Sequence, residues 1–345
     1  MTTQPATTRF TLYGGPELEK RISADVAYVV SAIRRETRQS EVKTIWLGGG
    51  FGRGEGGIRR AMVGELPYND YDFFVIVHNI TRMRTRVLRA VLNEVAAVCS
   101  LELGVEVEIA LLAEDQLPKL DPLQMWVDLR SSAKTVWGDP SVVAKLPDHR
   151  PEDIPPFEGT RLLINRAALL LMVANPRLAP RGVLTDEQNQ RWVRKTILAI
   201  GDALLLAYGA YKPGWLERLE LVMANGYIVP WIRNHYRDAV MERLRGEPDI
   251  MSLKDPIRFD ELVHHLLNTY LHVESIRLNR SWNSDSIENY VGYVMQNERL
   301  RCKLARLCAA LPAILAGPQT MGLAQDVLYH THDPIGMFLG LWRAT

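Results

Sequence analysis

From Glu17 to Arg38 the residues Leu18, Ile22, Val26, Val29, Val30 and Ile33 recur at three- and four-residue spacings with charges between them, the period of an amphipathic helix. Val42 to Leu47 is a short β-prone run that stops at three glycines, and Phe73 to Val77 is a second apolar run after the glycine-rich stretch. A basic amphipathic helix is predicted from Thr81 to Cys99, and a third strand near Leu103 to Leu112. This alternation of helix and strand predicts an α/β or α+β sheet domain. Trp137-Gly138-Asp139-Pro140 reads as a turn that ends it, and Pro147, Pro151, Pro155 and Pro156 in a charged stretch read as a linker. The expected domains are therefore 1–150 and 151–345. Beyond the linker the pattern is helical, with apolar stripes in Arg161–Ala174, Gln188–Tyr208, Trp215–Ala224, Pro230–Leu244 and Phe259–Val273. Further helices are expected within Ser286–Leu315 and Leu323–Tyr329, and no internal repeat is visible.

A chain of 345 residues with 47% hydrophobic and 23% charged residues fits about two ordinary folded domains and excludes a disordered or fibrous class. Lys+Arg 41 against Asp+Glu 40 leaves a net charge of +1, which excludes a strong bulk field for nucleic acid or acidic membrane. Any basic site must be local; Arg82, Arg84, Arg86 and Arg89 read as a solvated helix face, with a local anionic partner as the alternative. Cys99, Cys302 and Cys308 form no CxxC pattern, so neither a disulfide framework nor a thiolate zinc site is expected and a reducing cytoplasm is. His264, His265, His272, His330 and His332 show no metalloprotease spacing. The first fifteen residues lack a basic start and an apolar core, and the longest apolar run, Ala167–Ala174, is far short of a membrane span, so no membrane partner is expected.

The chemistry concentrates in Gly48 to Phe73, where a glycine-rich turn follows a strand and two aspartates spaced i, i+2 stand at the entry to the next. Residues two apart on a strand share a face, roughly 6 to 7 Å apart, so Asp70 and Asp72 converge while Tyr71 and Phe73 point to the core. Two carboxylates forced together repel unless a cation lies between them, and hard oxygen donors suit Mg²⁺ or Mn²⁺. The glycines let backbone approach phosphate oxygens, and Arg53 is near enough to add charge. Together these features point to a metal-bound polyphosphate. Gly52 to Gly57 also satisfies G-x-G-x-x-G, but the dinucleotide reading needs an acid at the end of the next strand, whereas Asp70 and Asp72 stand before it.

Leu47-Gly48-Gly49-Gly50-Phe51-Gly52-Arg53-Gly54-Glu55, followed by Asn69-Asp70-Tyr71-Asp72-Phe73, resembles the hG[GS]…DhD signature of the DNA polymerase β-like nucleotidyltransferase superfamily over about the first 140 residues. The resemblance implies that Gly49 and Gly50 contact the triphosphate of a nucleoside triphosphate and that Asp70 and Asp72 bind the divalent metals. It implies a third carboxylate from a later strand, here Val105-Glu106-Val107-Glu108-Ile109-Ala110-Leu111-Leu112, similar to that of aminoglycoside adenylyltransferases. Alternation puts Glu106 and Glu108 on one face and does not choose between them; Glu108 is favoured because the following residues then register without a gap. Lys195 resembles the lysine that two-domain members send from a helical domain to the triphosphate. The 19 residues between Gly50 and Asp70 (51–69) are more than the family usually has, so an insertion around Gly57 to Pro67 is expected, as a lid or a substrate-selecting loop. The implied fold class is α+β, a small mixed-sheet nucleotidyltransferase domain followed by an all-helical bundle. The implied activity moves a nucleoside monophosphate from an NTP, by family frequency ATP, to a hydroxyl on a small molecule, a protein or an RNA end. The alternative is a catalytically silent nucleotide-binding regulatory module.

Overall fold

The computed structural model describes residues 9–78, 80–178, 186–246, 257–297 and 303–345. It is a mixed α and β structure with a small four-stranded mixed sheet, a separate two-stranded hairpin and many helices. By its contacts the chain divides into two compact units: the first holds Met1–Asp153, Lys212–Glu217 and Val240–Asp249, the second Ile154–Tyr211, Arg218–Ala239 and Ile250–Thr345.

In the first unit, α1 (Pro16–Glu36) starts with proline in its first turn, carries Glu17 and Glu19 there, and ends on Arg34 and Arg35, so its charges oppose the helix dipole. Its apolar stripe buries Leu18, Ile22, Val26, Val29 and Ile33. β1 (Val42–Leu47) leads into α2 (Gly49–Arg53), a single helical turn made from the glycines themselves. The expected glycine turn is thus helical; Gly54, at φ 80°, closes it in the left-handed region. The expected insertion is a β-hairpin of β2 (Gly57–Ala61) and β3 (Gly64–Tyr68), whose strands, among the described residues, pair only with each other. β4 (Tyr71–Val77) follows, then α3 (Arg82–Leu103), capped by the Thr81 side chain and ended by Gly104 at φ 66°. α3 takes the residues with which the third strand was expected to begin, so β5 spans Val107–Ala113.

The four-stranded sheet has the order β5-β4-β1, then β6 (Lys134–Gly138); β4 and β5 are parallel and the other pairs antiparallel. β6 corrects the reading of Trp137-Gly138 as part of a turn. Gly138, at φ 86°, lies so close to β1 that a Cβ would meet the Lys43 carbonyl oxygen at 2.4 Å. One sheet face packs on α1 and α3 through Ile45, Tyr71, Phe73, Val75, Leu88 and Leu92. The other, with Trp46, Phe74 and Ile76, is covered by Leu117, Leu129, Val142 and Leu146 from α4 (Gln124–Ser132) and neighbouring 3₁₀ turns. Each fully buried large side chain of this kind contributes about 1.5–3 kcal/mol.

The described part of the second unit is helical. α5 (Phe157–Ala174) packs on α6 (Asp186–Ala207), and both pack on α9 (Phe259–Leu278). α10 (Ile287–Asn297), α12 (Met321–Val327) and α13 (Pro334–Arg343) gather around α11 (Lys303–Leu315). α7 (Trp215–Ala224) and α8 (Pro230–Arg245) each contribute residues to both units. The expected helical stretch Ser286–Leu315 is described as two helices, with 298–302 outside the described residues, and α13 was not foreseen. Glu274 is fully buried on α9, where it accepts hydrogen bonds from Thr160 (2.5 Å), Tyr290 (2.8 Å) and both arms of Arg277 (2.7 Å each). Asp202 similarly pairs with buried Arg218 and accepts from the Tyr236 hydroxyl at 2.6 Å. Cys99 and Cys308 are buried thiols; Cys302 lies outside the described residues. Among the described residues no helix is long and apolar enough to cross a membrane.

Candidate functional site

Parallel pairing of β4 with β5 sets Tyr71 opposite Val107 and Asp72 opposite Glu108. Alternation follows the expected sense: Tyr71 and Phe73 are buried on the α1/α3 face, and Asp72 and Glu108 occupy the opposite one. Asp70 immediately precedes β4, turned into place by Asn69, which holds a left-handed φ of 80°, a conformation that asparagine tolerates. Glu106 precedes β5, and its carbonyl accepts from the Tyr71 amide at 2.8 Å. Below the strand, the Tyr71 hydroxyl donates to buried Asp25 at 3.0 Å, which fixes the entry of β4 from the core side.

The glycines meet this acid pair directly. The Gly48 amide donates to the Asp72 carbonyl at 2.8 Å. Gly49, at φ 59°, is so close to the Asp72 side chain that a Cβ would stand 1.9 Å from Oδ2. No residue with a side chain fits there without displacing the carboxylate. Gly50 lies at the next position, where a Cβ would be 3.1 Å from the Glu55 carbonyl and 3.6 Å from the Arg243 guanidinium.

Electrostatics ties the acids together. Burial first, then the charges of Asp70 and Glu108, push the Asp72 carboxyl up from its ordinary 3.8 to about 7, against the opposing pull of Arg243 and Arg53. Arg53, at the end of α2, pairs with Glu55 (3.4 Å) and Asp128 (3.6 Å). Glu55 in turn accepts from the Trp215 amide at 2.9 Å, and the Arg243 guanidinium lies over the Trp215 ring, 4.8 Å from its centre. Arg243 was missed from sequence: it sits 171 residues after Asp72 at the charged end of an ordinary amphipathic helix, and no local pattern marks it. Lys195, the expected phosphate lysine, is half-buried on α6 in the second unit.

The buried Asn69 amide nitrogen has no hydrogen-bond partner and would lie 2.5 Å from a Cβ on Gly57, so a donor without an acceptor stands beside the acids. A half-open cleft of about 500 Å³ at the edge of the sheet is lined by Asp72, Glu106 and Glu108 together with Phe74, Ser100 and Met125. A larger cavity of about 870 Å³ lies behind α2, lined by Gly52, Arg53, Ser132, Lys134 and Gly214, and does not include the three acids. Among the described residues no group of three or more His, Cys, Asp or Glu side chains is arranged to hold a metal ion. The donor set nonetheless fits a hard divalent cation chemically: oxygen ligands only, with mutual repulsion that a cation would relieve.

No protein-family model matches the chain, and no curated protein matches it either.

Proposed function

We propose that the chain is a metal-dependent nucleotidyltransferase of the DNA polymerase β-like kind, which transfers a nucleoside monophosphate from an NTP, ATP being the donor the resemblance implies, to a hydroxyl acceptor with release of pyrophosphate. The observation that carries this reading is the register of Asp72 against Glu108, with Asp70 one residue before the strand and the bare backbone of Gly49 against the Asp72 carboxylate.

When bound, Mg²⁺ or Mn²⁺ would polarise the phosphoryl oxygens and offset the charge of the departing pyrophosphate. Asp70, Asp72 and Glu108 would hold it. Gly49 and Gly50 leave room for phosphate oxygens along the α2 backbone, and the Asn69 amide offers them a donor. Arg53 and Arg243 add positive charge beside the acids, and Lys195 is carried as a further phosphate contact on the resemblance alone. Glu108 lines the open cleft and would accept the proton of the attacking hydroxyl. That cleft admits a small molecule, a protein side chain or an RNA end. The protein works, in this reading, in the reducing cytoplasm, where the buried thiols of Cys99 and Cys308 stay reduced.

A second reading, a silent nucleotide-binding regulatory module, draws on the lack of a ready metal-holding group among the described residues. One assay separates the two. The chain is incubated with ATP, GTP, CTP or UTP and Mg²⁺ or Mn²⁺, with and without cell extract; pyrophosphate is measured and the modified acceptor found by mass spectrometry. Metal-dependent pyrophosphate release that Asp70→Asn and Asp72→Asn abolish supports transfer. Nucleotide binding without release under every condition supports the silent module, and no binding at all overturns both.

A further inference from the structure

α3 carries two apolar stripes. The inner one, Leu88, Leu92, Val95 and Cys99, is buried against the sheet and α1. The outer one runs through Met83, Val87, Ala90, Ala97, Val98 and Leu101 and is open to solvent: Met83 is 79% exposed, Val87 45%, Val98 55% and Leu101 84%. Its spacing follows the helical period from Met83 to Leu101, 19 residues and roughly 27 Å at 1.5 Å per step. A polar surface helix has no use for such a row on its wet side.

Beside the row is a half-open hollow of about 260 Å³ between α1 and α3, with Tyr28, Ala32, Val91, Val95 and Val98 among its lining residues. It has room for about one or two aliphatic side chains, and Arg35, Glu36 and Glu94 are also part of its lining. The charges on the outer face are sorted by position. Arg82, Arg86 and Arg89 stand in the first half of the helix and Glu94 and Glu102 in the second, all exposed. Among the described residues none of these five side chains makes a hydrogen bond or ion pair within the protein.

We infer that the outer face of α3 is the contact surface of a homodimer, packed antiparallel on the α3 of a second copy. A two-fold axis level with residue 92 brings Met83 of one copy to Leu101 of the other, with small Ala90 and Ala97 near the crossing, where they allow close approach. It brings Val87 level with the partner's hollow. The same axis sets the arginine half of each helix beside the glutamate half of the other, whereas parallel packing would stack arginine on arginine. One helix pair, with one hollow filled in each copy, falls short of the roughly 800 Å² per partner of a standard interface, so the dimer is a weak, concentration-dependent one.

Sedimentation velocity and light scattering on the full chain, from about 1 to 200 µM, test this. The expected weight-average mass rises from 39.1 kDa toward twice that value with concentration. Val87→Glu with Leu101→Glu should hold the protein monomeric throughout. Arg82→Glu with Arg86→Glu, and separately Glu94→Arg with Glu102→Arg, should each weaken association by about tenfold, and the four changes together should restore it. All are exposed positions, and circular dichroism checks that each variant is folded. A constant 39.1 kDa at every concentration overturns the proposal. So does a dimer indifferent to Val87→Glu and Leu101→Glu, or a fourfold charge swap that fails to recover what each half lost. Should the glutamate variants unfold, the charge-swap comparison alone decides.

Discussion

The molecule withdraws a carboxylate from water in two places, fully at Glu274 and partly at Asp72, and it treats the two in opposite ways. Glu274, in the helical unit, accepts from Thr160, Tyr290 and Arg277 and faces no competing acid in its hydrogen-bonded set. Asp72, at the head of β4, is half-buried beside Asp70 and Glu108, and the balance of burial and charge pushes its carboxyl up to about 7. A carboxylate supplied with donors stabilises a fold. One crowded by other carboxylates costs stability and persists where a cation is to be gathered. The difference separates a structural acid from a candidate functional one without reference to relatives.

The largest expected effect tests the functional half of this contrast. Asp70→Asn or Asp72→Asn should lower the proposed nucleotidyl transfer by about a thousandfold or more, because each removes a proposed metal ligand without changing size; near-native Mg²⁺-dependent pyrophosphate release in either variant would refute the assignment. Next comes the structural acid. Glu274→Gln should cost about 3 kcal/mol in urea unfolding, since it strips charge from a buried pair and leaves Arg277 and its neighbours imperfectly matched. A loss below experimental error would mean the two acids are not so different.

Third, Glu108→Gln should reduce kcat about a hundredfold with little change in nucleotide affinity, while Glu106→Gln should cost much less. Glu108 stands opposite Asp72 in the ladder and adds to its charge crowding, and Glu106 lies before the strand. The reverse result would move the third acid by two residues.

The smallest effect carries the sign that distinguishes the two groups. An unfolded Asp72 releases its proton near the ordinary 3.8, and the folded one near 7. Between those values the folded chain holds the extra proton, so this group's contribution favours folding at low pH and is lost as pH rises to about 7. Asp72→Asn should therefore stabilise the protein by a few kcal/mol at most at pH 8 and by less than about 1 kcal/mol at pH 4. Thermal melts at both pH values check it, and added Mg²⁺ should raise the melting temperature of the native chain but not of the variant.

Much of this was legible in the sequence, and what was not has physical causes. The helices from α5 to α9 and the order of α1, β1, β4 and α3 follow from apolar period alone, because each buries a continuous stripe. Gly49, Gly50, Asp70 and Asp72 stood out because their spacing is local. β6 did not: its residues from Lys134 to Trp137 are all half-buried, which erases alternation, and Gly138 reads as a turn although a close approach to β1 requires it. Among the described residues the hairpin of β2 and β3 pairs only with itself and so carries little apolar signal of its own. Arg243 acts on Asp72, and Trp215 holds Arg243 and Glu55, through tertiary contacts that no local pattern encodes.

The unit that bears the acids is discontinuous along the chain: Trp215 and Arg243 belong to it, though they follow its main segment by tens of residues. On the ribosome this becomes an order in time. At synthesis rates of about 5–20 residues per second, the nascent sheet must wait roughly 5–20 s after residue 153 before Arg243 is made. During that interval Asp72 sits among its fellow acids with neither the late arginine nor its aromatic support, and Glu55 lacks the Trp215 amide. The half-made unit is thus unfinished at its own acid-bearing end, and a fragment cut after residue 153 would preserve that immature state rather than an independent domain.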